Sequence, residues 1–197
     1  MKRQPGLKKA TALFRVAQQS VGTELALDAH RFHLQQLLEE YDLTTSQLER
    51  VEETVRVVLD LVPYIDNLRS INGLNTISIA GILGEAGDLS QFSHGNALLR
   101  HAGLHLVEAS SGKWRGQTVI SKRGRSRLRR FLYMATMNLI NNNQEFKARH
   151  SYNVQEKGMR RMKSLMKLIG KFARIIVGMT KNQETYNPEK IQLLKAA

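Results

Sequence analysis

The chain has 197 residues, a formal net charge of +13 and 42% hydrophobic residues, enough for a buried core and too many for a disordered chain. It has no cysteine, which excludes structural disulfides and thiolate metal sites, and no apolar run reaches the ~18 residues needed to span a bilayer. Residues 1–108 carry 10 Lys/Arg against 13 Asp/Glu, whereas residues 109–183 carry 18 Lys/Arg against only Glu145 and Glu156, an asymmetry that points to a polyanionic partner for the second half.

The basic start, Met1 to Ala10, is followed by Leu13, Phe14 and Val16 with Arg15 among them, which is no secretory signal; the chain reads as soluble and cytoplasmic, with no membrane partner. With prolines only at 5, 63 and 188, the expected fold class is mainly α. Leu27, His30, Leu34, Leu37 and Tyr41 repeat at spacings of three and four, and so do Leu48, Val51, Val55, Val58 and Val62. Each set is a coiled-coil-like stripe. Asp42 to Thr45 is expected to break the chain, with Ser46 and Glu49 as a capping box opening a fresh helix. Residues 1–66 are therefore expected to be a helical hairpin or coiled-coil linker. It either packs on its own domain or makes the protein a homo-oligomer. Residues 67–197 are expected to form a compact helical domain.

Within that domain, Ser70 to Thr76 reads as a turn before an apolar segment, Ile77 to Leu83. Gly87-Asp88 and Gly95-Asn96 interrupt the chain again, and Ala97 to Ala102 reads as a short helix ended by Gly103. Residues 109–124 read as an open basic loop in which Thr118-Val119-Ile120 forms a short strand. Ser126 to Ile140 is expected to be helical and to stop at Asn141-Asn142-Asn143; 158–181 is expected to be a last, amphipathic helix.

Three groups of residues could meet nucleic acid. The 71–75 turn is helix-hairpin-helix-like: Gly73 lets backbone approach a phosphate at the next helix start, and Asn75 stands where a second glycine is usual, a mild departure because Asn tolerates the left-handed conformation. An ordinary helix–helix turn is the alternative. The second group is Lys113, Arg115, Lys122, Arg123, Arg125, Arg127, Arg129 and Arg130, with no acid between Glu108 and Glu145. Arginine's planar fork fits phosphate oxygens; Arg123, Arg127 and Arg130 have the spacing of one helical face. Trp114 could stack on a base or anchor packing. The third is Lys163, Lys167, Lys171 and Arg174 opposite Met162, Leu165, Met166, Ile169, Phe172 and Ile176. Phosphate tracking, a membrane surface and a core helix with a solvated basic face all fit it. His101 and His105, with Gly103 between them, make no persuasive metal pair, and no phosphate-loop motif is present.

The C-terminal two-thirds also resembles the C-terminal domain of the DEDD-type insertion-sequence transposases, a family that includes the Piv DNA invertases. The resemblance is carried by Ser70-Ile71-Asn72-Gly73-Leu74 with Ala80 to Asp88 and Phe92; by Ala102-Gly103-Leu104, Ser111-Gly112-Lys113, Ile120 to Gly124, Leu128-Arg129-Arg130 and Met134-Ala135; and by Lys157-Gly158, Lys171 to Ile176 and Tyr186-Asn187-Pro188. The resemblance implies a recombinase with DNA as partner and a guide RNA as a candidate second one. It implies that Ser111, identified over Ser110 by Gly112-Lys113, is the nucleophile that attacks a phosphodiester. It implies magnesium too, held by four acids of an RNase-H-like domain that nothing here matches; the chain reads as an N-terminally shortened copy with no cofactor of its own. On chemical grounds a serine hydroxyl needs activation, and Lys113 and Arg115 could neutralise the phosphate. The alternative functions are a non-catalytic nucleic-acid-binding protein or regulator, and a membrane-surface protein built on the last helix.

Overall fold

The computed structural model describes residues 6–20, 22, 26–108 and 118–189. It is mainly helical, as the sequence leads one to expect, and divides into two compact units, Met1–Arg50 and Val51–Ala197.

In the first unit lie α1 (Leu7–Gln19), which has no buried residue, and most of α2 (Leu27–Asp60). The break expected at Asp42 to Thr45 does not occur: α2 runs through it, and Ser46 and Glu49 are helix interior instead of a capping box. The reason lies in the residues. No Gly or Pro stands between Ala26 and Pro63. Asp and Thr cost a helix interior only about 0.7 kcal/mol each, too little to interrupt a long helix. With the helix unbroken the two stripes share one register, and Thr44 continues the alternation of three and four between Tyr41 and Leu48.

The second unit takes the end of α2, stopped ahead of Pro63, and then α3 (Ile65–Arg69), α4 (Thr76–Ala86), a 3₁₀ turn (Leu89–Gln91), α5 (Gly95–His101), strands β1 (Leu106–Glu108) and β2 (Thr118–Ile120), α6 (Ser126–Asn142), α7 (Gln144–Gln155) and α8 (Arg161–Asn182). Its centre is α8. Leu165, Leu168, Ile169, Phe172, Ala173, Ile176 and Val177 are all buried, each large side chain contributing about 1.5–3 kcal/mol on removal from water. Around α8 pack α3, α5, α6, α7 and the 3₁₀ turn, while α4 packs on α6. Two glycines set the closest approaches. A Cβ on Gly95 would lie 2.4 Å from the Cα of Arg174, and one on Gly81 would lie within the ring of Phe131. Backbone therefore touches backbone between α5 and α8.

The starts of α4, the 3₁₀ turn, α5 and α7 are capped by side chains, whereas α6 and α8 start without one. Asn75 accepts from Ser78 N (2.7 Å), Asp88 from Ser90 N (2.9 Å), His94 Nδ1 from Ala97 N (3.2 Å) and Asn143 Oδ1 from Phe146 N (3.1 Å). Asn143 both ends α6 and opens α7, a helix without an apolar stripe, since only Phe146 and Asn153 of it are buried. Gly158, at φ 60°, separates it from α8, which starts three residues later than the pattern suggests. The expected short strand is β2, and its antiparallel partner is β1, with Leu106 opposite Ile120 and Glu108 opposite Thr118.

Candidate nucleic-acid interface

The described part of the basic run, Lys122 to Arg130, occupies the corner where α5, the β1–β2 pair and α6 meet. β2 does not end its pairing at Ile120. Ser121 N donates to His105 O (2.9 Å), Lys122 N to Gly103 O (2.9 Å) and Arg125 N to His101 O (3.0 Å), so residues 121–125 are zipped to the end of α5. The approach is close enough to demand two glycines. A Cβ on Gly124 (φ 151°) would stand 2.5 Å from Gly103 N and from His101 O, and one on Gly103 (φ 69°) would stand 2.7 Å from Arg123 O. Lys122 is itself held at φ 53°, a conformation uncommon for a side-chain-bearing residue.

This backbone geometry sorts the cations. Arg129 is half-buried and serves the fold: its Nη1 donates to Ala102 O (2.9 Å) and Lys122 O (3.3 Å). Arg125 reaches across to Glu85 O on α4 (2.7 Å). Lys122, Arg123, Arg127 and Arg130 stand exposed. Arg123 does not share a helical face with Arg127 and Arg130, because the Gly103–Gly124 contact keeps the chain extended until Arg125 and α6 begins only at Ser126. It reaches the same corner from the loop. Among the described residues no ion pair joins this run to a carboxylate; the short pairs, such as Arg69–Asp60 (2.7 Å), lie elsewhere. The first turn of α6 contains no acid, although the helix dipole favours one there by about 0.3–1 kcal/mol. Cations at the positive end of a helix concentrate potential that an anion would relieve.

Ser111, Lys113, Arg115 and Trp114 lie in 109–117, outside the described residues. Those residues join Glu108 to Thr118, whose backbones pair, so the ends of the segment that carries Ser111 are fixed beside the basic corner.

The 70–76 turn is placed differently from the residues just described. Gly73 has φ 88°, and a Cβ there would meet Asn142 at 3.1–3.2 Å, so the glycine serves the packing of the turn on the end of α6. Asn75 is extended, not left-handed, and its side chain is used as the α4 cap. Asn143, buried, donates from Nδ2 to Asn72 O (2.9 Å), and Tyr186 N donates to Ser70 Oγ (2.8 Å). The resembling blocks around 70–74 and 186–188 are thereby joined to each other and to Asn143 at the end of α6.

Two further features belong to this map. Tyr64 OH donates to Asp88 Oδ1 (2.9 Å) and accepts from Leu89 N (3.0 Å). Hydrogen bonds from the Ser90 side chain and backbone, then from Tyr64, hold the Asp88 carboxyl down at about 2, while burial chiefly, with Asp88 beside it, pushes the Tyr64 phenol up to about 12. On α8 the basic face is divided. Lys167, Lys171 and Arg174 line a cleft with Arg149 of α7, which spacing alone could not show, and Lys163 stands outside it. Leu165, Ile169, Phe172 and Ile176 of the apolar face of α8 are buried in the core, while Met162 at its start is exposed. No helix of the described residues is long and apolar enough to cross a membrane.

No curated protein matches the chain. Residues 65–151, which contain both sides of every backbone contact that frames the basic corner, match the model of the transposase IS116/IS110/IS902 family, and over this stretch the chain is similar to those transposases.

Proposed function

We propose that this chain is a DNA-binding, recombinase-type part of an insertion-sequence transposase. Lys122, Arg123, Arg127 and Arg130 hold backbone phosphates, and Ser111 is the position that attacks a phosphodiester. The observation that carries the reading is the exposed cationic corner, without a described carboxylate in ion-pair reach, inside the stretch that is similar to transposases. The role of Ser111 rests on the resemblance. The magnesium that the resemblance implies does not fit the described residues, none of which form a group of three His, Cys, Asp or Glu that could hold a metal ion. Activation of a serine must then come from a group outside them. A second copy, paired along the α2 stripe, is the proposed partner besides DNA.

Phosphate contacts release counterions, so affinity for duplex DNA should fall by roughly 10³–10⁵ between 50 and 200 mM salt if six to ten contacts form. Changing Arg123, Arg127 and Arg130 together to Ala should weaken binding to all sequences alike and flatten the salt slope by about three contacts. A filter-binding titration with a flat salt response for the unchanged chain would refute the proposal.

A further inference from the structure

The cleft between α7, α8 and the segment after α8 combines features that the core does not require. Its volume is about 380 Å³, inside the roughly 300–1,000 Å³ span of sites for small organic groups. Among the described residues that line it, Arg149, Lys167, Lys171 and Arg174 supply four cations against one acid, Glu184. Leu168, Ile175 and Met179 give it an apolar wall, and Tyr186 an aromatic one. Lys171 is half-buried among like charges. Asn153, also lining the cleft, is buried with its Oδ1 lacking a hydrogen-bond partner, and such an unmet acceptor is costly. Gly178, on α8, leaves open space where a side chain would stand, and that space is part of the cleft.

We propose that this cleft takes one nucleotide of an unpaired nucleic-acid strand, with its phosphate on Lys171, Arg149 and Arg174 and its base against Tyr186 and the apolar wall. The proposal deepens the nucleic-acid-binding reading and rests on it. A base with an open face can stack on an aromatic ring or lie on an apolar wall only when it is free of its partner strand, which is why an unpaired strand is specified. A phosphate also answers the main electrostatic strain of the site. Burial first, and then Arg149 and Arg174, bring the Lys171 ammonium down to about 8; an anion between these groups favours its charged form. Among the described residues, the charged groups around Lys171 are Arg149 from α7, Lys167 and Arg174 from α8, and Glu184 from the following segment, which also brings the neutral but titratable Tyr186 phenol.

The test uses the full chain, a labelled fifteen-residue oligothymidylate and a duplex of mixed sequence. Lys171→Met removes the charge and keeps the stem. Gly178→Leu fills the cleft and leaves every charge in place. Each variant should weaken oligothymidylate binding about tenfold and change duplex binding far less, with unchanged thermal unfolding cooperativity. The unchanged chain should lose oligothymidylate affinity as pH rises from 7 to 9, and Lys171→Met should lose less, because only the former has a charge that disappears near 8. The Arg123, Arg127 and Arg130 triple variant runs in parallel. If it weakens binding while both cleft variants bind oligothymidylate as the unchanged chain does, the cleft proposal is overturned and the DNA-binding reading stands. If the cleft variants alone weaken binding, the basic corner is misassigned and the cleft stands. Binding to phosphatidylserine vesicles that Gly178→Leu abolishes, with oligothymidylate binding intact, would overturn the proposal in favour of a lipid headgroup.

Discussion

Gly103 and Gly124 show what a single atom can cost at this corner. Each has a positive φ; a Cβ on Gly124 would meet Gly103 N and His101 O at 2.5 Å, and one on Gly103 would meet Arg123 O at 2.7 Å. Backbone cannot swing aside as a side chain can, so clash and left-handed strain add. Gly124→Ala should destabilise the fold by about 2–4 kcal/mol and lower the melting temperature by roughly 4–16 °C. The control is Gly84→Ala, an exposed position of α4 with nothing within 4 Å, where alanine should stabilise by about 0.5–1 kcal/mol. Calorimetry that gave the two variants equal melting temperatures would show the glycine contact to be unimportant. The same scale explains Arg129. In the sequence it is one more cation of a run; in the structure it binds two carbonyl oxygens and so holds the loop that presents its neighbours. Residue type and spacing reveal charge. They do not reveal which way a side chain turns, because that depends on α5, 27 positions earlier in the chain.

At the scale of elements, the segments with strong apolar periodicity were legible: α6 and α8 lie within a few residues of where the pattern puts them. α7 was not, because its burial is confined to Phe146 and Asn153 and no stripe forms. β1 was not either, being three residues long and defined by its pairing with β2. The break expected in α2 is absent for the opposite reason: capping residue types are present, but no Gly or Pro nearby forbids a helix. The continuous α2 strengthens the argument for pairing, since Leu34, Leu37, Tyr41, Leu48, Val51 and Val58 are exposed along one seam. It also moves the useful cut. Leu59 and Ile65 are buried in the core, so removing residues 1–66 would damage the second unit. Removing residues 1–50 should lower the mass of the assembly in light scattering and leave cooperative unfolding of the remainder. Equal numbers of chains per particle with and without these residues would sink the pairing idea.

For the whole molecule, the uneven charge and its two runs are visible in the sequence, but the joining of Arg149 to the second run is not. One set of cations lies at the α5–α6 corner and another lines the α7–α8 cleft. The proposed chemistry needs both phosphate neutralisation and an activated hydroxyl. The chain alone should therefore bind DNA and leave it uncut. Supplied with the acidic domain of an intact relative, Ser111→Ala should abolish strand exchange, with DNA affinity nearly unchanged, and Ser110→Ala should have a small effect; a gel assay for DNA covalently held on protein reads this. Full activity of Ser111→Ala, or cleavage by the isolated chain in magnesium, would overturn these roles.

The ladder of backbone bonds from Glu108–Thr118 down to His101–Arg125 has a consequence for how such a protein can change over generations. Both ends of 109–117 are anchored, among the described residues, by main-chain atoms and glycines of 101–108 and 118–125. Closing a loop between ends already held together costs little more when its length changes, since the entropic term grows only logarithmically. Substitutions and short insertions there should be nearly neutral for folding while altering whatever the segment touches. The corner thus behaves as a socket with an exchangeable insert, and a library randomised over 109–117 could be selected for new reactivity without first being selected for stability.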